Sequence, residues 1–264
     1  MVIKLKSLII LFLKGIALGG SMTVPGVSGG SMAIVFGIYD KLISAVANFF
    51  KHKLKSFVFL LTVSLGGAIG IVILSNMVTT LLKTNPFETS FFFFGTVLGS
   101  LPMLFKKAEF KIKVKDFTFC LIGATTVVLL NLLPKINNTA NTFTFIIAGF
   151  IGSIALILPG ISISYFLLIL GAYEPLVNAM NGFNLKILLP FLLSMLIGVF
   201  CFSKLIATAL QKYTKYSFLC IIGFMLGSLT QLFVGIPQGT IIIASLLSLL
   251  AGIYFIYLIG KFAN

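Results

Sequence analysis

VPGVSGGSMAIVFGIYDKL, residues 24–42, sets a proline, three glycines and two serines ahead of an apolar run that ends in an acid. Much the same order returns 134 positions later in LPGISISYFLLILGAYEPL, residues 158–176. Pro25 ends the helix before it, because proline lacks the N–H of the ladder and clashes with the preceding turn. Gly26, Gly29 and Gly30 let another group come close to the main chain, and Ser28 and Ser31 are good caps for a following helix. A helix that opens near Ser28 turns free N–H groups and the positive end of its dipole toward the gap. In apolar surroundings such groups must be satisfied or must line a cavity. The turn is a candidate anion cradle, present twice.

The rest of the chain supplies those surroundings. Of 264 residues 59% are hydrophobic and 9% charged, with a mean hydropathy of +1.18. Soluble domains carry about 25% charged residues, so the chain reads as a single all-α integral membrane domain over 1–264. Cuts at polar and glycine-proline breaks give ten apolar segments, at about 7–24, 28–50, 56–82, 89–105, 117–134, 143–158, 161–180, 187–210, 217–234 and 240–260. Strand-like alternation is absent, so helices are expected throughout. The first twenty residues resemble a leader, but Lys14 interrupts their apolar core and further segments follow, so the segment reads as retained.

The two quoted stretches belong to a longer repeat, about 7–134 against about 143–260. At an offset of 134, Gly15, Pro25, Gly26, Ser28, Gly37, Tyr39 and Asp40 meet Gly149, Pro159, Gly160, Ser162, Gly171, Tyr173 and Glu174. At an offset of 128, Gly70 meets Gly198, Ser75 meets Ser203, and Gly95, Gly99 and Ser100 meet Gly223, Gly227 and Ser228. Five segments per half is an odd number, which predicts that the second half is inverted relative to the first. Each half then begins with a broken or re-entrant helical hairpin at its PG turn.

All 19 basic residues are lysine, and the net charge is +14. Lysine distribution tests the inversion. With the N-terminus in the cytoplasm and the first two segments returning there, inside loops carry lysines at 4, 6, 51, 53, 55, 106, 107, 111, 113, 115, 212, 215 and 261. Outside loops carry Lys83, Lys135 and Lys186 alone. The asymmetry fits both termini inside. Basic charge is thus read as topology, not as nucleic-acid binding. Broken helices at matching places in two halves point to a transporter's substrate site.

Other residues fall into place around the turns. Lys14 lies roughly 16 Å along a helix from Pro25, and Asp40 roughly 15 Å from Gly30, which predicts a Lys14–Asp40 ion pair near the cytoplasmic end. Ala148 replaces the lysine in the second half. Glu174 is left without an equivalent partner, and an intramembrane acid of that kind is a candidate proton site. Lys204, opposite Asn76 in the repeat, is a candidate counter-charge for an anion. Cys120, Cys201 and Cys220 have no CxxC spacing and read as packing residues, and His52 is alone in a lysine-rich loop. With one histidine and five acids, the chain is read as binding no metal and no cofactor. A serine nucleophile would need a base that the pattern does not offer, so an enzyme is not expected.

KGIALGGSMTVPGVSGGSMAIVFGIYDKL and LPGISISYFLLILGAYEPL resemble the two signature segments of the bacterial PopT-type undecaprenyl-phosphate translocases, and the resemblance spans essentially the whole chain. It implies a multi-pass protein of the bacterial cytoplasmic membrane that returns undecaprenyl phosphate, the lipid carrier of cell-wall synthesis, to the cytoplasmic leaflet. The positions it implies are Lys14, Pro25, Gly26, Ser28, Gly29, Gly30, Tyr39 and Asp40, then Pro159, Gly160, Ser162, Ser164, Tyr173 and Glu174; Ser31 joins the substrate-binding set, and Asp40, Glu174 and, from the repeat, Lys204 are the candidates for ion pairing or coupling. Ser31 stands where threonine is common in that family, and Ile163 where glycine is common. The partners implied are a lipid phosphate and membrane lipids, with coupling to protons or sodium left open. The alternative from the residues alone is an ion-coupled transporter of another anionic solute.

Overall fold

Glycines on facing helices decide how this chain packs. In the computed structural model, which describes residues 5–22, 27–108, 113–133 and 141–263, the described residues form twelve α-helices and no strand. The first six are α1 (Leu5–Ser21), α2 (Gly29–Val35), α3 (Tyr39–Ala47), α4 (Lys53–Thr84), α5 (Pro86–Lys107) and α6 (Phe117–Leu132). The next six are α7 (Thr142–Ile157), α8 (Ile163–Ile169), α9 (Tyr173–Asn181), α10 (Leu185–Lys212), α11 (Thr214–Leu232) and α12 (Ile241–Ala263).

The main helix pairs are α1 with α4, α7 with α10, α5 with α12 and α6 with α11. Each pair closes on glycine. A Cβ added to Gly70 would lie 2.0 Å from the Ile16 carbonyl oxygen, and one on Gly149 would lie 2.2 Å from that of Phe191. Added at Gly95 or Gly223, it would lie 2.1 Å from the oxygen of Leu249 or Cys120. Small residues give membrane helices their packing energy, since lipid removes the hydrophobic drive between them. Four buried hydroxyls are settled within their own helices: Thr96, Ser100, Ser153 and Ser228 donate to the carbonyls of Phe93, Val97, Phe150 and Met225 at 2.6–2.8 Å.

Among the described residues, six helices are long and apolar enough to cross a membrane, α4, α5, α6 together with the 3-10 turn Val114–Asp116 that leads into it, and α10 to α12, or up to eight spans if each bent pair counts as one. This is a multi-pass membrane protein. At 17 and 16 residues, α1 and α7 are about 26 and 24 Å long, short of a ~30 Å hydrocarbon core.

Two expected segments divide. Residues 28–50 and 161–180 each read as one apolar run, yet the chain bends by 119° between α2 and α3 and by 116° between α8 and α9. Gly37 (φ 67°) and Gly171 (φ 64°) cause the bends. Gly37 N–H bonds the Ile34 carbonyl and Ile38 N–H that of Ala33, both at 2.9 Å, and Gly171 and Ala172 repeat the pattern on Leu168 and Leu167. This is the glycine-dependent way to close a helix. Residues 5–132 and 142–263 therefore hold six α-helices each.

The bend also rearranges the charges. Lys14 does not pair with Asp40. Its Nζ donates to the Phe36 carbonyl at the C-terminal end of α2, at 2.8 Å. Asp40 pairs with Lys107 at the end of α5. A cation on the last carbonyls of a helix is favourable, so Lys14→Met should cost about 1–2 kcal/mol. Reversible unfolding in detergent would measure this, and an unchanged midpoint would show that α2 needs no cap.

Candidate functional site

The two turns meet. After α7 ends at Ile157, Pro159 offers no N–H, and Gly160 adopts φ 80°. The Gly160 N–H then donates to the hydroxyls of both Ser28 and Ser31, each at 2.8 Å. Those two hydroxyls lie 2.8 Å from each other, and Ser28 caps α2 by accepting from the Ser31 N–H at 3.1 Å. Ser28 and Ser31 are 5% and 2% exposed. Gly30 permits this contact, since a Cβ there would lie 2.9 Å from the Ile157 oxygen and the Pro159 nitrogen. Chain positions about 130 residues apart are thus fastened backbone to hydroxyl inside the protein.

Other sequence-derived positions divide between this junction and the surface. Pro159 and Gly160 are buried, and Gly29 is half-buried. Ser162 stands before α8 with no side-chain capping bond, and Ser164 is exposed. Pro25 and Gly26 lie outside the described residues. Tyr39 is 3% exposed, whereas its repeat counterpart Tyr173 is 37% exposed. Glu174 and Lys204 are exposed, and neither forms an ion pair among the described residues.

Beside the junction lies a cavity of about 420 Å³. Its wall comes from α1 (Leu18, Gly19) and Met22 just after it, α2 (Gly29, Gly30, Ala33), α3 (Tyr39, Leu42, Ile43, Val46), α4 (Val63, Ser64, Gly67, Ala68, Ile71), the end of α7 (Leu156, Ile157) and α10 (Val199, Ser203). None of these carries a charge. Ser64, Ala68 and Ile71 are exposed on α4, so the cavity reaches the surface on the side of a spanning helix. A second cavity of about 320 Å³ shares Ile43 with the first. Its wall is more polar: Asp40, Lys107, Ser44, Gln211 and Thr214 stand there with Ala207, Leu210 and Phe218. The Lys107 ammonium also sits 5.4 Å from the centre of the Phe218 ring.

Sequence reasoning missed Lys107 and Ser203. Ser203 had one signal, its match to Ser75 in the repeat. Lys107 had none, because it was counted with the loop lysines that set topology.

Helices α1 to α6 and α7 to α12 are unequally closed. Helix α3 packs along α10, while α9 makes no comparable contact with α4. Helix α2 is buried from Gly30 to Val35, but α8 buries Leu167 alone.

Comparison with known proteins adds the following. A family model described as undecaprenyl phosphate translocase-like matches residues 18–245. A polyprenyl-phosphate transporter of Vibrio cholerae is 33% identical over 235 residues, 84% of this chain and 76% of the relative. A polyprenyl-phosphate transporter of Staphylococcus aureus is 32% identical over 247 residues, 87% of each chain. No solved structure matches the chain.

Proposed function

We propose that this chain, which belongs to the undecaprenyl phosphate translocase-like family, moves polyprenyl phosphate, as undecaprenyl phosphate, between the leaflets of the bacterial cytoplasmic membrane. One observation carries the reading: an uncharged, largely apolar cavity opens beside a spanning helix and abuts the junction of the start of α2 with the second PG turn. An isoprenoid tail can enter such a cavity from lipid while its phosphate stays by the turns. A small soluble anion would find no counter-charge in that wall, so the cavity does not favour the alternative solute.

The inverted repeat gives the mechanism its form. The repeat is supported by the corresponding pairs α1–α4 and α7–α10, by the crossed pairs α5–α12 and α11–α6, and by bends of 119° and 116° at corresponding glycines. Helices α1 to α3 and α7 to α9 then form two re-entrant units, three spans follow each, and both termini lie in the cytoplasm, as the lysine asymmetry asks. In this arrangement α3 closes the cytoplasmic side against α10, and the outer side, where α9 stands away from α4, is open. Exchange of these two contacts alternates access to the junction. Gly29, Gly30 and Tyr39 in the cavity wall face the headgroup, Ser28, Ser31, Pro159 and Gly160 hold the junction behind them, and Ser162, Ser164 and Tyr173 serve the second half's turn. The headgroup leaves past Ile43 into the second cavity, where Lys107 exchanges Asp40 for phosphate. Asp40 and Glu174 are the candidates for ion coupling.

The test is purified protein in liposomes carrying undecaprenyl phosphate in one leaflet, with and without a pH gradient. Protein-dependent arrival of the headgroup in the other leaflet is expected, faster with the gradient. Asp40→Asn or Glu174→Gln should remove that acceleration. Folded protein that moves no lipid in either condition would overturn the reading.

A further inference from the structure

Residues 29–32, Gly-Gly-Ser-Met, open α2, and at the offset of 134 residues 163–166, Ile-Ser-Tyr-Phe, open α8. The two short helices are held differently. Beyond its neighbours in sequence, α2 packs against α5, α7 and α12, whereas the main contacts of α8 are with its neighbours α7 and α9. Where α2 begins with glycine and serine, α8 reaches out with longer side chains. Ile163 and Phe166 pack on the cluster of Val127, Ala155 and Ile161. Tyr165, which stands where α2 has Ser31, donates its hydroxyl to the main-chain carbonyl of Asn131 in the last turn of α6. Among the described residues this is the one side-chain hydrogen bond of α8.

The acceptor is fixed in place. The last carbonyls of a helix lack partners along the chain, and Asn131 is anchored through its side chain. Its Oδ1 accepts from Gln231 Nε2 at 2.8 Å, and its Nδ2 donates to Thr230 Oγ1 at 3.3 Å, both in the last turn of α11. The ends of α6 and α11 are thus tied together, and Tyr165 ties α8 to them. Positions 31 and 165 therefore each join one six-helix set to the other. Ser31 does so in a buried contact, accepting from the Gly160 N–H at 2.8 Å. Tyr165 does so from a half-buried place, across the length of a tyrosine. The first is built as a joint and the second as a tether.

What the tether holds back is visible at the next helix. Phe49, just after α3, meets the Phe200 ring of α10 edge-on at 5.9 Å. The positions opposite these two, at offsets of 134 and 128, are Phe183 and Val72, which are 82% and 75% exposed. The contact that closes α3 on α10 thus has counterpart residues after α9 and on α4, and there it is unmade.

We propose that Tyr165 is a positioning residue for transport: its bond to the Asn131 carbonyl holds the α8–α9 unit away from α4, and breaking it lets Phe183 seat against Val72. The proposal rests on the reading of the chain as a polyprenyl-phosphate transporter with alternating access. A hydroxyl bond at a half-buried place suits this task, because water can take over its partners when it breaks. Gln231 and Thr230 act through Asn131, by holding the acceptor still.

Full-length protein in lipid nanodiscs tests this, carrying Cys120→Ala, Cys201→Ala and Cys220→Ala and spin labels on Met180→Cys in α9 and Ile73→Cys in α4. Both label sites are 63% exposed, and the distance between them reports the separation of α9 from α4. In this parent protein the longer separation should dominate. Tyr165→Phe should raise the ratio of short to long separations about tenfold, the worth of one hydrogen bond. Asn131→Ala keeps the main-chain carbonyl but loses both partners on α11, so it should shift the ratio the same way by less, about threefold. Tyr216→Phe, which removes a hydroxyl from the first turn of α11 away from this network, should leave the ratio unchanged. The proposal is overturned if Tyr165→Phe leaves the ratio as it is in the parent or lowers it, or if Tyr216→Phe reproduces the shift. Flipping of undecaprenyl phosphate by the wild type alongside any of these results would leave the function standing and remove only the tether. Folded wild type that flips no lipid would remove the function, and the tether with it.

Discussion

Replacing Ser28 and Ser31 together by alanine should cost about 2–3 kcal/mol of stability, while Ser31→Ala alone costs about 0.5 kcal/mol and Ser28→Ala about 1 kcal/mol. The inequality follows from one shared donor. The Gly160 N–H lies 2.8 Å from each hydroxyl, so either serine can be lost and the amide stays paired. Ser28 costs more than Ser31 because it also caps α2 through the Ser31 N–H. When both hydroxyls are gone, a buried amide has no acceptor, and the full penalty of an unsatisfied donor is felt, ~1–3 kcal/mol. Groups that share a partner do not add. A double-mutant cycle by reversible unfolding should therefore return a coupling energy of about 1 kcal/mol. Strict additivity would mean that another acceptor takes the amide and that the two turns are not held by this bond. Ser162, which makes no capping bond, provides the comparison: Ser162→Ala should change stability by less than ~0.5 kcal/mol.

The residues that defeat sequence reading here do so for identifiable reasons. Composition and hydropathy alone establish helices in a membrane, because lipid leaves an apolar chain no other way to satisfy its backbone. Pro159 and Gly160 are legible as a turn for the same kind of reason. Gly37 and Gly171 carried a readable stop, a glycine followed by an apolar residue, as helix-closing motifs require. The unbroken hydrophobicity of residues 28–50 and 161–180 concealed it, since in a membrane protein polarity does not mark helix ends. The wrong partner for Asp40 follows from that single omission. Distances measured along a straight helix place Asp40 beside Lys14, whereas the 119° bend carries it to Lys107 on α5. The engagement of Ser28 and Ser31 lay deeper still. A serine at a helix start announces a cap, but nothing local says that its acceptor capacity is shared with an amide 132 residues away. Ser203 is the hardest case, because a serine inside a spanning helix ordinarily bonds its own carbonyls and gives no sign when it does not.

Gly160→Ala should be the most damaging single substitution in the junction, costing about 4 kcal/mol or more and abolishing lipid transport. Two terms combine. At φ 80° an L-residue is strained by about 1–2 kcal/mol. The added Cβ would also lie 2.3 Å from the Phe224 carbonyl oxygen and 2.4 Å from its carbonyl carbon, which are backbone atoms of α11 and cannot rotate away. The turn must therefore withdraw from α11, and on the other side it is held to Ser28 and Ser31 through the same residue's N–H. Relief of the clash and retention of the hydrogen bonds compete for one short segment. Gly239→Ala separates the terms: its φ is 61°, but no atom lies within 4 Å of an added Cβ, so it should show the backbone strain alone, about 1–2 kcal/mol, with transport intact. Unfolding midpoints and flipping rates for the two variants, read side by side, check the argument. Equal losses would mean that Gly160 matters only for its backbone angle. A much larger loss at Gly160 would mean that α11, the second PG turn and the start of α2 are packed to contact at one residue, as a transporter that rocks around a fixed junction requires.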